Sequence, residues 1–136
     1  MASLLCTLGP YTRAEQELDC FRQVVDDVDR ALDRDHSVSF ELSVVATAAR
    51  HAAILGCYLI DEPDFGRDSA FRRLLPRLGY TGVDVEAAIE LYKFRRADDE
   101  GRPPDVAAST DDARAWVAKV RKLIDQVRNL THDDPG

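Results

Sequence analysis

Histidine and cysteine are scarce in this chain, at three residues each, and there is one methionine and one tryptophan. His36, His51 and His132 stand in unrelated contexts, so the H-E-x-x-H zinc helix is absent. So are a glycine-rich phosphate loop and a nucleophile elbow. Cys6, Cys20 and Cys57 are widely spaced and odd in number, which matches neither a disulfide framework nor a zinc pattern. They are expected as buried thiols. No apolar run reads as long enough to span a bilayer, and the first ten residues lack a basic start followed by a long apolar segment. The expected location is therefore cytoplasmic, without a membrane. No metal site or cofactor is implied. Any catalytic triad drawn from the plentiful Ser, Cys and Asp residues would be arbitrary, so the catalytic residues stay unassigned. Whether the chain is an enzyme stays open too, because holding a substrate in its reactive geometry can itself be catalytic.

What the sequence does have is apolar residues and charge, 45% and 32% of its 136 residues, enough for one domain with a real core. The formal net charge is −7. Extended nucleic-acid binding, which rests on Lys and Arg displacing counterions, is disfavoured, and a cationic partner is easier to accept.

Hydrophobic periodicity is helical throughout. Residues 1–11, with Leu4, Leu5 and Leu8, form a short apolar lead-in. Thr12 and Glu15 read as a capping box opening a helix with Leu18, Phe21, Val25, Val28 and Leu32 on its seam. The other face is acidic, from Asp26 to Asp35. It reads as a solvated face with Asp26–Arg30 and Arg30–Asp33 pairs rather than a cation site, because the aspartates spread around the helix. After a break at residues 36–39, a second helix to Ile60 places Phe40, Val44, Ala48, Ala52, Leu55 and Leu59 on one face. Pro63 and Gly66 mark a loop. A short helix follows with Phe71, Leu74, Leu75 and Leu78 inward and Arg67, Arg72, Arg73 and Arg77 outward, the best basic patch in the chain; Pro76 shortens or kinks it. Asp84 reads as the cap of a fourth helix carrying Val85, Ala88, Ile89 and Tyr92. After a polar loop with Pro103 and Pro104, Ser109 or Thr110 caps a last helix that buries Ala113, Trp116, Val120, Leu123, Ile124 and Val127. Residues 131–136 are expected to be peripheral. The fold class is all-α, a single domain over 1–136 built as an antiparallel bundle of four to five helices. The apolar seams exceed what one small bundle needs, so a homodimer is expected.

The candidate ligand-binding residues cluster around the end of the fourth helix. At helical spacing Tyr92, Arg95 and Arg96 share or flank one face, with Asp98 just beyond, and a guanidinium fork there suits a phosphate or carboxylate. Arg50 and His51 interrupt the apolar second helix, and Arg67 opens the short one.

The segments G-R-D-S-A-F-R-R-L-L-P-R-L (66–78), A-I-E-L-Y-K-F-R-R-A-D-D (88–99) and S-T-D-D-A-R-A-W-V-A-K-V (109–120) follow an alanine-rich helix. In that order they resemble the HEPN family, small helical proteins that accompany minimal nucleotidyltransferases or act as ribonucleases. The resemblance spans about two thirds of the chain. It places Ser69 where one branch has histidine, and Arg96 and Asp98 near that branch's R-x-x-D. The R-x(4–6)-H motif of the ribonuclease members is not intact: neither Arg95 nor Arg96 has a histidine at that distance, and Arg128 to His132 is one residue short. The resemblance therefore implies a non-nucleolytic binding subunit that engages a nucleotidyltransferase-type partner or that partner's substrate. Two alternatives stand beside it. One is a small dimeric biosynthetic enzyme that binds and preorganises a modified peptide, similar to the lysinoalanine-forming proteins of lantibiotic pathways. The other is a degenerate ribonuclease using His51 or His132.

Overall fold

Five α-helices carry the chain in the computed structural model, which describes residues 10–34, 37–101 and 108–132. They are α1 (Pro10–Ala31), α2 (Val38–Leu59), α3 (Ser69–Leu74), α4 (Gly82–Asp99) and α5 (Thr110–His132), and among the described residues there is no strand. The apolar lead-in at residues 1–9 and the loop bearing Pro103 and Pro104 lie outside the described residues, as does Cys6.

Helix starts follow local side-chain chemistry. The Ser37 hydroxyl accepts the Phe40 N–H at 3.3 Å and caps α2. Ser109 accepts the Asp112 N–H at 3.0 Å, while Asp112 takes the Ser109 N–H at 3.2 Å. α4 opens on the same reciprocal box, but its cap is Thr81, and Asp84 is the residue that reaches back. The expectation of an Asp84 cap was three residues late. α1 begins at Pro10, so Thr12 lies within the helix and not at its cap. Proline is at home in a first turn, where its missing N–H has no partner to lose. Pro76 does shorten α3: the chain tightens into a 3₁₀ turn over Leu75–Leu78. Gly79 closes that turn at φ 93°, a left-handed conformation that costs glycine little.

α2 is the centre of the bundle, packed by α1, α3, α4 and α5. Its buried face is wider than one stripe and rotated from the expected seam: Leu42, Val45, Ala46, Ala49, Ala53 and Cys57 are in the core, and Phe40 is 49% exposed. A helix apolar on nearly every side carries no clear moment to fix its orientation, so packing decides. By length and composition α2 is also apolar enough to cross a bilayer, contrary to the sequence reading, yet more than half of that stretch is buried among its own neighbours. α4 and α5 contribute Leu91, Phe94, Ala97 and Val117 to the core besides the expected positions, while Ile89, Tyr92 and Trp116 are half-buried. The cysteines divide. Cys57 is buried, donates to the Ala70 carbonyl at 3.4 Å, and is pushed up to about 11 by burial and by Asp64. Cys20 is exposed, against expectation.

The acidic face of α1 is not simply solvated. Arg128 binds Glu15 and Asp19, Arg22 binds Asp125 at 3.0 Å, Arg121 binds Asp26 and Asp29, and Arg114 binds Asp29 and Asp33. The pairs climb α1 as they descend α5. Local pairs form at Asp27–Arg30 and Arg22–Asp26, while Asp26 also turns to α5, as Asp33 does, and neither goes to Arg30. The hydrogen bond from Arg121 holds the Asp26 carboxyl below its ordinary value of 3.8, against a smaller opposing effect of burial. Its contribution to stability is thus complete above that value and is lost as pH falls through the depressed folded value. Urea unfolding between pH 6 and pH 2 should show Asp26→Asn less stable than the parent at pH 6, with the difference shrinking below about pH 4. A difference constant across that range would mean that Asp26 contributes nothing through its charge.

Candidate functional site

One stripe of α2 stays outside the core: Thr47, Arg50, His51, Ile54, Leu55 and Tyr58, at alternating steps of three and one, which keep to one helical face. Its two ends differ in chemistry.

The first end is cationic. The Arg50 guanidinium carbon lies 6.0 Å from the Tyr92 ring centroid and that of Arg67 lies 5.0 Å from it, so α2, α4 and the loop before α3 converge on one phenol. Arg95, almost one turn beyond Tyr92, donates to the Thr47 hydroxyl at 3.2 Å and pairs with Asp99 at 3.0 Å. Thr47 in turn donates to the Ser43 carbonyl at 3.0 Å. The loop is braced by Asp64, whose carboxylate accepts the Ser69 hydroxyl at 2.6 Å, the Gly66 N–H at 2.9 Å and the Arg73 Nε at 3.1 Å. Those three bonds, Ser69 first, hold the Asp64 carboxyl below the usual range.

Charge pairing separates Arg50 and Arg67 from the arginines of the short helix. Arg72 goes to Glu86, Arg73 to Glu62 and Asp64, and Arg77 to Glu62, so the expected basic patch is neutralised except at Arg67. Arg50 and Arg67 have no carboxylate partner among the described residues. Arg50 donates to the Phe65 carbonyl at 3.4 Å, and its buried Nε has no hydrogen-bond partner among the described residues. In a chain with 25 acidic side chains against 18 Lys and Arg, two adjacent unneutralised guanidiniums are a departure from the pattern.

The second end is apolar. A groove of about 480 Å³ opens between α1, α2 and the loop, lined by Phe21, Ile54, Leu55, Tyr58 and Phe65, with Arg13, Glu17 and Asp64 at its edges. Phe65 is 73% exposed and Tyr58 45%. His51 stands where the two ends meet, its ring 5.8 Å from that of Phe21 at 44°. Although His51 keeps an exposed edge, desolvation by the surrounding groups lowers its pKa below 6.5; Arg50 and, less, Arg95 add to this while Glu17 opposes. The imidazole is therefore neutral at pH 7 and free to accept or relay a proton. Folding resists its protonation, so this residue costs stability as pH falls below the ordinary histidine value. In an NMR titration His51 should titrate below 6.5 and move upward in Arg50→Ala. An unchanged midpoint would remove Arg50 from its field.

Of the residues singled out from sequence, Arg50, His51, Arg67, Tyr92 and Arg95 are brought to this one face. Arg96 and Asp98 are exposed, and no contact among the described residues ties either to Tyr92, Arg50 or Arg67. Arg128 is taken up by Glu15 and Asp19, and the His132 side chain lies outside the described residues. Sequence reading missed Thr47, Phe21 and Phe65. Only Thr47 carried a signal, a hydroxyl one turn before Arg50. No protein-family model matches the chain, and no curated protein or solved structure does either.

Proposed function

We propose that the chain is a non-nucleolytic, HEPN-like binding subunit whose Arg50–Tyr92–Arg67 cluster takes a phosphate-bearing ligand, the substrate or nucleotide of a nucleotidyltransferase-type partner. The observation that carries this reading is the convergence of two guanidiniums without carboxylate partners on one aromatic ring. A planar fork offers two parallel N–H donors to a phosphate, and Tyr92 presents a face on which a base or the guanidinium itself can stack. Arg95 lies within the same face but is already paired with Asp99. His51 beside them stays neutral and supplies no fixed charge. The bundle would be antiparallel, dimeric and cytoplasmic in this reading, with the α1–α5 ion pairs holding the helices in register.

Calorimetric titration with ATP and with adenosine is the test. ATP should bind with an affinity that falls steeply with salt, and adenosine should bind far more weakly. Equal binding of the two, or none by ATP, would sink the phosphate reading.

The apolar groove favours a second reading, the peptide-preorganising biosynthetic enzyme. Phe21, Ile54, Leu55, Tyr58 and Phe65 offer side-chain pockets, and Glu17 at the groove edge suits a cationic residue of the peptide. Saturable binding of a modified peptide without response to nucleotide would favour it over the first.

A further inference from the structure

The second cavity of the molecule lies on a different part of the surface from the α2 stripe. It has about 320 Å³ of space between α2, the 3₁₀ turn, α4 and α5. That is the small end of the range for ligand sites. Small side chains make the room: Ala49 on α2 and Ala87 and Ala88 on α4 face bulkier groups from the turn and α5. The floor is apolar, with Phe71, Leu75, Val120 and Leu123. The walls are aromatic, Tyr80 and Trp116, both half-buried.

The polar groups around this slot are unbalanced in one direction. Lys119 Nζ lies 4.6 Å from the Trp116 ring centroid and Lys122 Nζ 5.9 Å from that of Tyr80. Neither ammonium forms an ion pair among the described residues. The Tyr80 hydroxyl donates to Gln126 Oε1, which leaves the Gln126 amide N–H groups without a partner among the described residues. The one acid on the rim, Asp84, is already engaged by the Thr81 N–H at 3.1 Å and the Thr81 hydroxyl at 2.9 Å. Both bonds fall on Oδ2, so Asp84 keeps its charge and an Oδ1 that accepts no bond among the described residues, and both lysines act on that charge. Two ammoniums and an amide thus face a single carboxylate over an apolar, aromatic slot. Each ammonium still has donor capacity beyond its ring contact.

We infer that this slot binds a small amphiphilic carboxylate, its apolar body between Tyr80 and Trp116 and its carboxylate at Lys119 and Lys122. A cation would meet two ammoniums against the one carboxylate of Asp84, a net repulsion. A neutral compound would fill the slot but leave the donors unmatched, and the charge-assisted bonds are the stronger part of such recognition. This inference does not depend on the arginine cluster.

Trp116 is the only tryptophan in the chain, so emission excited selectively at tryptophan, clear of the four tyrosines, reports on the slot alone. The probes are 4-phenylbutanoate, its amide and 4-phenylbutylamine, titrated against the full chain. The carboxylate should change Trp116 emission saturably, and the amide and amine should bind at least about tenfold more weakly. Lys119→Ala with Lys122→Ala should reduce carboxylate affinity about tenfold or more; both side chains are exposed, so the fold is expected to persist, checked by an unchanged melting temperature. Arg50→Ala with Arg67→Ala should leave the titration unchanged. No saturable response, equal response to the amide, or a response lost in the arginine variant but kept in the lysine variant would each overturn the assignment.

Discussion

Gly56→Val should destabilise the folded chain by about 2 kcal/mol, the balance of overpacking against a small gain in helix propensity. Gly56 is buried on α2 where α3 crosses it. A Cβ built there would lie 3.0 Å from Leu74 Cδ1, 3.3 Å from Cγ, and closer still to Cδ2. Leu74 is fully buried, so its methyls have no free space into which to swing. Glycine at this position lowers helix propensity and is retained for the approach of Leu74. In a thermal melt the loss should appear as a fall of roughly 5–10 °C. Leu74→Ala alone should cost about 2–5 kcal/mol through the cavity it leaves. The double variant is the sharper experiment, because the valine methyls enter the space that Leu74 vacates. Its total should fall short of the sum of the singles by about 1 kcal/mol or more. Strict additivity would show that Gly56 and Leu74 do not meet, and a Gly56→Val protein as stable as the parent would refute the packing itself.

The second large effect is on binding. Arg50→Ala combined with Arg67→Ala should weaken ATP about 100-fold, near 3 kcal/mol, if each guanidinium makes one charge-assisted contact to phosphate. The folded chain should tolerate the change. Arg67 is exposed, neither residue has a carboxylate partner to strand, and the buried Nε of Arg50 has no bond to lose. The two cation–π contacts to Tyr92 and the Arg50 bond to the Phe65 carbonyl are given up, so a loss of about 1 kcal/mol of stability is expected. Arg73→Ala makes the instructive comparison: it lies on the short helix just after Arg67 but is spent on Glu62 and Asp64, so it should loosen the loop and hardly change ATP affinity. If Arg73→Ala weakens ATP as much as the double variant does, the ligand is not held at Tyr92. Retained binding in the double variant would reject the phosphate reading outright.

Much of the architecture was legible because helices write themselves locally. Three- and four-residue spacing of Leu18, Val25, Val28 and Leu32 placed the buried face of α1 before any neighbour was known, and all four are in the core. Pro76 and the cap at Ser109 or Thr110 punctuated the chain as their own chemistry demands. Where local signals competed, the reading slipped. Thr81 and Asp84 both cap helices well, and only geometry showed which stands first. α2 is apolar around most of its circumference, so its orientation was set by four packing partners, and Phe40 was left at the surface.

The site was legible as a set of residues and not as a place. Arg50, His51, Arg67, Tyr92 and Arg95 stood out as cations and rings in unusual positions, but sequence gives no partner for a guanidinium. Arg128 finds Glu15 across 113 positions and Arg114 finds Asp29 across 85. Local spacing offered Arg30 as the partner of Asp26 and Asp33; both went to α5. The sequence by itself determined an all-helical chain, its helix faces, most of its breaks, and an acid-rich composition in which arginines outnumber lysines. The tertiary structure decided which arginines are neutralised and which are left to converge on Tyr92. The reason is range: hydrophobic period and capping act within a few residues, whereas charge pairing selects among all groups that folding brings within about 4 Å.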